Sequence, residues 1–223
     1  MNQGSLEYFI EKLEARVREM FASESSGHDI YHLQRVRDTA LHIQEKEGGD
    51  RLVVGVAALL HDIHRLMEKE KGIFISPTDS LSIIKEILGE VGFPEEKLSH
   101  VLGAIEYHEE YDFSSEGKGL RDLETQILQD ADNLDAIGAI GVGRTFAFGG
   151  AHGVPMWIPE KPFDRATFDE SEKDPSTIHH FYAKLFKLKE NMNTPTGKQM
   201  ARERHVFMER FVEQFTAEWK GER

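Results

Sequence analysis

Four side chains that could bind a metal ion lie in three separate stretches of the chain. They are His32, the adjacent pair His61 and Asp62, and Asp132. Together they offer one ion two imidazoles and two carboxylates. Each of them interrupts an otherwise apolar helical pattern, where an unpaired charge would be costly to bury. The set therefore indicates a metal-dependent hydrolase.

Consecutive helical residues diverge by about 100°, so His61 and Asp62 could approach one ion from adjacent sides and leave room for the other two ligands. Four such ligands suit an octahedral ion with about two open positions, and Mn²⁺, Fe²⁺, Co²⁺, Ni²⁺ or Zn²⁺ accepts this ligand mixture. Such an ion polarises a phosphoryl oxygen and acidifies water. The spacing alone leaves another interpretation open, in which the histidines bond to backbone and the aspartates are helix caps or salt-bridge partners.

The composition fits one soluble domain over residues 1–223, with 39% hydrophobic and 30% charged residues. Cysteine is absent, which excludes thiolate metal sites and cysteine nucleophiles. The formal net charge of -13 argues against duplex nucleic acid or a membrane surface as a partner, because such polyanions need clustered Lys and Arg. A small phosphorylated substrate is still compatible with this charge. Without a signal sequence or an apolar run that could span a bilayer, we expect a cytoplasmic protein.

Helical periodicity dominates the chain and predicts an all-α bundle. The first helix should end near Ser23. The second should carry His32 and end at Gly48, and Asp50 should cap the third. The segment from Leu52 to Leu66 is apolar almost all round, which is typical of a central helix enclosed by others. Another long helix, from about Asp122 to Phe148 and interrupted by three glycines, should carry the last of the four metal-binding candidates.

Residues 149–175 form the one long irregular stretch, which is rich in Gly and Pro. Loops of this length inside compact domains are often functional. Because this stretch directly follows the helix with Asp132, we expect a mobile lid over the metal pocket. An inert surface excursion is the alternative.

The sequence resembles the HD superfamily of metal-dependent phosphohydrolases, which is named for its His-Asp doublet. His32, in a His-x-x-Arg-Val setting, matches the first family histidine. His61 and Asp62 match the doublet after an Ala-Leu-Leu run, and Asp132 in Ala-Asp-x-Leu matches the final aspartate. Further likeness to a small bacterial single-domain branch extends over residues 129–138, 144–146 and 187–208.

The resemblance implies an all-helical fold and one divalent ion held by these four residues. Mn²⁺ is favoured, with Co²⁺, Ni²⁺, Fe²⁺, Zn²⁺ or Mg²⁺ as alternatives. It also implies a phosphohydrolase, with a phosphoanhydride bond of a nucleotide as the leading substrate. A phosphomonoesterase or phosphodiesterase on the same site and a non-catalytic nucleotide or metal sensor are the alternatives. The oligomeric state stays open, with a homodimer among the alternatives.

Asp130 and Asp132 compete for the final ligand position, because they lie about 200° apart on a helix and cannot both point into one site. The family pattern favours Asp132 and leaves Asp130 as a capping or outer carboxylate. Asp135 lies one turn beyond Asp132. It could accept a hydrogen bond from a ligand histidine, or it could be solvated or pair with another helix.

Two basic residues are predicted to face the metal pocket. Arg35 lies one turn from His32 and could hold a phosphate, or it could form a salt bridge with Asp38 or Asp62. His108 ends an inward-facing stripe and could transfer a proton or bind phosphate, with a structural histidine as the alternative.

The general base is less clearly indicated. Several HD enzymes carry a catalytic carboxylate shortly after the doublet, whereas Ile63 and His64 follow it here. His64 or Glu68 could take that role, or metal-activated water needs no separate base. By resemblance, three further residues are candidate contacts for outer phosphates, with surface charges as the alternative: Arg144, Lys184 and Lys187.

Overall fold

The fold was analysed in a computed structural model, which describes residues 4–22, 27–109, 122–161, 163 and 174–223. Within these ranges the chain is helical and contains no β-strand, which confirms the all-α prediction. No described helix is long and apolar enough to cross a membrane. The elements are α1 Leu6–Met20, α2 Ile30–Glu47, α3 Arg51–Leu60, α4 Ile63–Lys71, α5 Pro77–Glu90, α6 Glu95–Tyr107, α7 Leu123–Asp135, α8 Gly138–Ala151, α9 Thr177–Ala183, the 3-10 helix Leu185–Asn191 and α10 Pro195–Trp219.

Helix α3 lies at the centre of the bundle, as its apolar sequence predicts. Its residues 53–60 are all buried, and it packs against α1, α2, α6 and α7. Asp50 caps it by accepting hydrogen bonds from the N–H groups of Leu52 and Val53 at 2.9 and 3.2 Å. The predicted cap is therefore confirmed, and it fixes the start of the helix that leads to the His-Asp pair.

The predicted helix from Leu52 to Leu66 is wrong. Helix α3 ends at Leu60 and α4 begins at Ile63, because Asp62 between them has φ -96° and ψ 14°, outside the helical range. The His-Asp pair therefore lies in a break between two helices, where neighbouring side chains are not held to helical spacing.

The predicted helix from Asp122 to Phe148 is also two helices. Helix α7 ends at Asp135, and α8 begins at Gly138 with φ +74°. Gly adopts this left-handed conformation readily. A Cβ atom at this position would also lie 2.9 Å from the side chain of Arg204. The division leaves Asp135 at the C-terminal end of the helix that carries Asp132.

The irregular stretch begins at His152, because α8 extends to Ala151. Its described part is attached to later helices: the carbonyl groups of Pro155 and Met156 accept the N–H groups of Thr177 and Ile178, both at 2.9 Å. Residue 162 and residues 164–173 lie outside the described residues. The lid over the metal pocket stays a prediction.

Candidate metal centre

The four side chains predicted to bind a metal meet where α2, α3 and α7 pack together. His32 Nε2 lies 3.2 Å from Asp62 Oδ2 and 3.5 Å from Asp132 Oδ1. His61 Nε2 lies 3.6 Å from Asp62 Oδ1 and 3.8 Å from Asp132 Oδ1. Two imidazoles and two carboxylates therefore share one small volume, which we call the HD cluster.

Both histidines of the HD cluster are oriented through their other ring nitrogen. The Nδ1–H of His32 donates to Asp135 Oδ2 at 2.7 Å, and that of His61 donates to the carbonyl oxygen of Ala58 at 2.8 Å. In the neutral form of each ring, Nε2 therefore carries the lone pair, and it faces the carboxylates. Both Nε2 atoms are buried and have no hydrogen-bond partner among the described residues. Such atoms are costly to bury unless a ligand satisfies them.

The donor spacing fits a divalent ion. Two ligand atoms, each about 2.1 Å from one ion, are about 3.0 Å apart at a right angle and about 3.4 Å apart at a tetrahedral angle. The four N–O separations in the HD cluster, 3.2 to 3.8 Å, are at or slightly above this spacing. Small movements of the side chains would bring all four atoms to one ion.

Charges within the HD cluster keep its carboxylates ionised. Burial acts to raise the pKa of Asp132, but the adjacent positively charged His61 outweighs it and holds that pKa far below its usual range. Burial acts on Asp62 in the same direction and is outweighed by His61 and His28, so its pKa is also lowered. Burial lowers the pKa of His61, but the charges of Asp62 and Asp132 raise it to about 9. The two ionised carboxylates therefore stabilise a positive charge in the cluster, either a proton on His61 or a bound metal ion.

Mn²⁺ binding should release at least one proton at pH 7. With a pKa of about 9, His61 is protonated at pH 7, and its Nε2 must lose that proton to bind an ion. Because deprotonation becomes easier as pH rises, the Mn²⁺ association constant should increase about tenfold per pH unit between about pH 6 and 8. Calorimetric titration in two buffers of different ionisation enthalpy measures the protons released. Affinity that is independent of pH, without proton release, would show that His61 is not protonated at pH 7 in the metal-free protein.

Asp135 connects the HD cluster to two arginines. Besides the bond from His32, it accepts hydrogen bonds from Arg35 Nε and Nη2 at 2.8 and 2.9 Å and from Arg144 Nη1 at 2.9 Å. Of the roles left open for Asp135, the structure shows both the contact with His32 and pairing with other helices, through Arg35 on α2 and Arg144 on α8. The Arg35 and Arg144 side chains are 33% and 19% exposed, so both reach solvent beside the cluster.

The salt-bridge partners suggested for Arg35 from the sequence are wrong. Arg35 pairs with Asp135 on α7, while Asp38 pairs with Arg37 at 2.8 Å. Asp62 lies instead next to His28, whose Nδ1 is 2.7 Å from Asp62 Oδ2. His28 precedes the first residue of α2 and contacts the HD cluster from outside the helix.

Asp130 contacts the start of α10 and not the HD cluster. Its Oδ1 accepts hydrogen bonds from the backbone and side-chain nitrogens of Asn193 at 2.7 and 3.0 Å. Its Oδ2 accepts from the N–H and O–H groups of Thr194 at 2.8 and 2.7 Å. A Cβ atom on Gly197 would lie 2.2 Å from Oδ2, so a residue without a side chain is required there. The capping alternative for Asp130 is the one that the structure shows.

His108 faces the HD cluster. Its ring centroid is 5.1 Å from that of His61, and its Nδ1–H donates to the carbonyl oxygen of Ile105 at 2.6 Å. Its Nε2 is buried and unpartnered within the described part of the chain. Burial and the nearby charge of His61 lower the pKa of His108 to about 4. His108 is therefore neutral near pH 7, with Nε2 as an acceptor.

His64 lies in the first turn of α4. Its Nδ1–H donates to the carbonyl oxygen of His61 at 3.1 Å, and its Nε2 is 3.5 Å from Glu109 Oε1. Glu68, the other base suggested from the sequence, accepts hydrogen bonds from Arg65 Nη1 at 2.6 Å and from the N–H of Ile75 at 3.1 Å. Glu68 therefore stabilises the α4 region. Glu109 was missed because it begins a polar segment that has the pattern of a loop.

Two predicted substrate contacts lie on later elements. Lys184 is exposed between α9 and the 3-10 helix, and Lys187 is half-buried on the 3-10 helix. Their contact with outer phosphates stays a prediction.

Comparison with known proteins identifies the family. The profile of the HD domain family matches residues 29–137, which include all four residues of the HD cluster. YpgQ of Bacillus subtilis is 34% identical over 215 residues, which cover 95% of this chain and 94% of YpgQ. The chain belongs to the HD domain family. This confirms the resemblance found in the sequence, and membership implies that a divalent metal ion is bound.

Solved structures of HD proteins share the fold. An HD-superfamily hydrolase from Bacillus thuringiensis has a TM-score of 0.74 and 38% identity, covering 97% of this chain and 99% of its own. A structure of Bacillus subtilis YpgQ in complex with ADP has a TM-score of 0.71 and 30% identity, covering 93% of both chains. These relatives support assignment of this HD protein as a hydrolase.

Proposed function

We propose that this chain is a divalent-metal-dependent phosphohydrolase that cleaves a phosphoanhydride bond of a nucleotide. The observation that carries the proposal is the buried HD cluster, in which two imidazole Nε2 atoms and two ionised carboxylates converge. His32, His61, Asp62 and Asp132 would hold one ion. Mn²⁺ is favoured, because it accepts both carboxylate and imidazole ligands. When bound, such an ion polarises a phosphoryl oxygen and makes water easier to deprotonate.

The arginines on Asp135 support a phosphate chain as the ligand. Arg35 and Arg144 are held beside the HD cluster by one carboxylate, and both are partly exposed. A guanidinium has five N–H donors, so each retains donors for phosphate oxygens after its bonds to Asp135. Their local positive charge is needed in a chain whose formal net charge is -13. The complex of YpgQ with ADP supports a nucleotide, with Lys184 and Lys187 as candidate contacts for its outer phosphates.

His108 and His64 are proposed to orient and deprotonate the attacking water. Each donates its Nδ1–H to a backbone carbonyl, so each Nε2 can accept a proton or a hydrogen bond. His108 is neutral near pH 7 with a pKa of about 4, so it would orient the water as a hydrogen-bond acceptor and leave the proton to His64. Asp62 lies within 4.8 Å of donor atoms of both histidines, so the water would be held between the ion and these acceptors.

Replacing Arg35 with Ala should mainly raise KM, about 10-fold or more, because it removes a phosphate contact made equally in the bound substrate and in the transition state.

Replacing His108 with Ala should mainly lower kcat, about 100-fold, because it removes a hydrogen-bond acceptor for the attacking water. Steady-state kinetics on both variants measure the two constants. Arg51→Ala and His100→Ala, at exposed positions, are the matched controls. Unchanged constants in both test variants would reduce Arg35 and His108 to structural residues.

The reaction is tested by incubating the purified protein with nucleoside mono-, di- and triphosphates, phosphomonoesters and phosphodiesters, each with Mn²⁺, Co²⁺, Ni²⁺ or Mg²⁺. Release of orthophosphate or pyrophosphate from a di- or triphosphate supports the proposal and identifies the bond cleaved. Activity confined to monoesters or diesters would overturn the phosphoanhydride assignment. Nucleotide binding without any product would make the protein a sensor.

A further inference from the structure

A second group of buried donor atoms adjoins the HD cluster across Asp62. Asp62, His64 and Glu109 each offer one atom, and these atoms lie within 4.8 Å of one another. The His108 ring borders this group, with its centroid 5.8 Å from that of His64, and His108 also offers an atom within 4.8 Å of Asp62. His64 and His108 are 0% and 1% exposed, and their Nε2 atoms lack a hydrogen-bond partner in the described ranges. We call this group the Glu109 pocket.

The Glu109 pocket has the same kinds of donor as the HD cluster, two imidazoles and two carboxylates. Both histidine rings are oriented by a contact between Nδ1 and a backbone carbonyl, which leaves Nε2 facing the pocket. Four acceptors without a cation between them would repel one another in a buried site. The pocket therefore needs positive charge of its own, as the HD cluster does.

Arg65 supplies a positive charge to this pocket. Its Nη2 forms an ion pair with Glu109, and its Nη1 binds Glu68 at 2.6 Å. Its Nε lies 3.9 Å from Asp62 Oδ1 and is buried, with no hydrogen-bond partner among the residues described. The guanidinium thus contacts one carboxylate of the pocket and lies 3.9 Å from the carboxylate shared with the HD cluster.

We propose that Arg65 takes the place of a second metal ion and keeps the metal centre of this protein mononuclear. A guanidinium does not lose its proton in proteins, so the charge in the Glu109 pocket is fixed at any working pH. In the proposed reaction its fixed charge would stabilise negative charge that develops on the phosphoryl group. The inference rests on the proposed function only in treating the HD cluster as the first metal site.

Metal stoichiometry tests the inference. Wild-type protein should retain one Mn²⁺ per chain, whereas Arg65→Gln, which removes the charge, should bind two. The measurement is elemental analysis after equilibrium dialysis against excess Mn²⁺, combined with electron paramagnetic resonance, because two Mn²⁺ ions that share a carboxylate give an exchange-coupled signal. Arg65→Lys keeps a cation and should still bind one. The double variant Arg65→Gln, Glu109→Gln should also bind one, because it lacks a donor for the second ion.

Two results would overturn the inference: two coupled Mn²⁺ ions in the wild-type protein, or a single Mn²⁺ in folded Arg65→Gln under excess metal. If Arg65→Gln loses its helical circular dichroism, Arg65→Met repeats the test, because it keeps most of the aliphatic stem. Arg51→Gln on the protein surface is the matched control and should bind one ion. Wild-type protein that binds no Mn²⁺ would refute the metal site of the proposed function, whereas one ion in both wild type and Arg65→Gln would refute only the role of Arg65.

Discussion

Asp62→Asn should abolish metal retention and turnover together. Asp62 contacts both histidines of the HD cluster and also faces the Glu109 pocket. The substitution keeps the size of the side chain but removes its charge. Metal catalysis contributes several kcal/mol to the stabilisation of the transition state, and about 1.4 kcal/mol corresponds to tenfold in rate. We therefore expect kcat/KM to fall by at least about 1,000-fold.

The measurements are Mn²⁺ content after dialysis and turnover on the best nucleotide found with the wild-type protein. Asp38→Asn is the matched control, because the Asp38 side chain is 68% exposed on α2 and pairs only with a neighbouring arginine in the structure described. It should behave as wild type. An Asp62→Asn variant that folds, retains Mn²⁺ and turns over normally would exclude Asp62 as a ligand.

Asp135→Asn should weaken Mn²⁺ binding about 10- to 100-fold, although Asp135 is not expected to touch the ion. The substitution replaces one carboxylate oxygen with an NH₂ group, which cannot accept hydrogen bonds. The single remaining oxygen cannot accept the hydrogen bonds of His32 and both arginines. His32 would lose the hydrogen bond that orients its ring, and Arg35 and Arg144 would lose the carboxylate that both of them bind. KM for the nucleotide should therefore rise as well, while kcat at saturating Mn²⁺ and nucleotide should fall less.

Calorimetry with Mn²⁺ and kinetics at several Mn²⁺ concentrations separate these effects. A general loss of stability would lower activity at all concentrations, whereas recovery of kcat at high Mn²⁺ indicates a positioning role. Unchanged Mn²⁺ affinity in a folded Asp135→Asn variant would show that the bond to His32 has no effect on the ion.

Local sequence signals predicted much of the helical framework. The apolar stripe of α1, the cap at Asp50 and the buried character of α3 all depend on residues close together in the chain. The break between Leu60 and Ile63 could not be predicted in the same way, because neither Gly nor Pro occurs there. Only packing against other helices distinguishes one bent segment from one continuous helix.

The candidate site was only partly predictable, for a related reason. The four residues of the HD cluster were chosen through the family resemblance, since spacing alone allowed ordinary core histidines. The contact between Arg35 and Asp135 joins residues 100 positions apart, so no local pattern reveals it. Arg65 and Glu109 are separated by 44 positions, and each has the appearance of a surface charge in its own segment. Long-range ion pairs of this kind depend on the tertiary fold.

The bonds of Asp130 limit how far this chain could be shortened. Asp130 lies inside the segment that matches the HD family profile, but its hydrogen-bond donors, Asn193 and Thr194, lie more than 50 residues beyond the end of that segment. A fragment ending at residue 137 would keep the carboxylate and lose every donor that the structure shows for it, next to α7 residues that carry the HD cluster. We therefore expect a fragment confined to the family profile to be less stable than the full chain, because the segment that starts α10 supplies hydrogen bonds to the helix that carries part of the HD cluster.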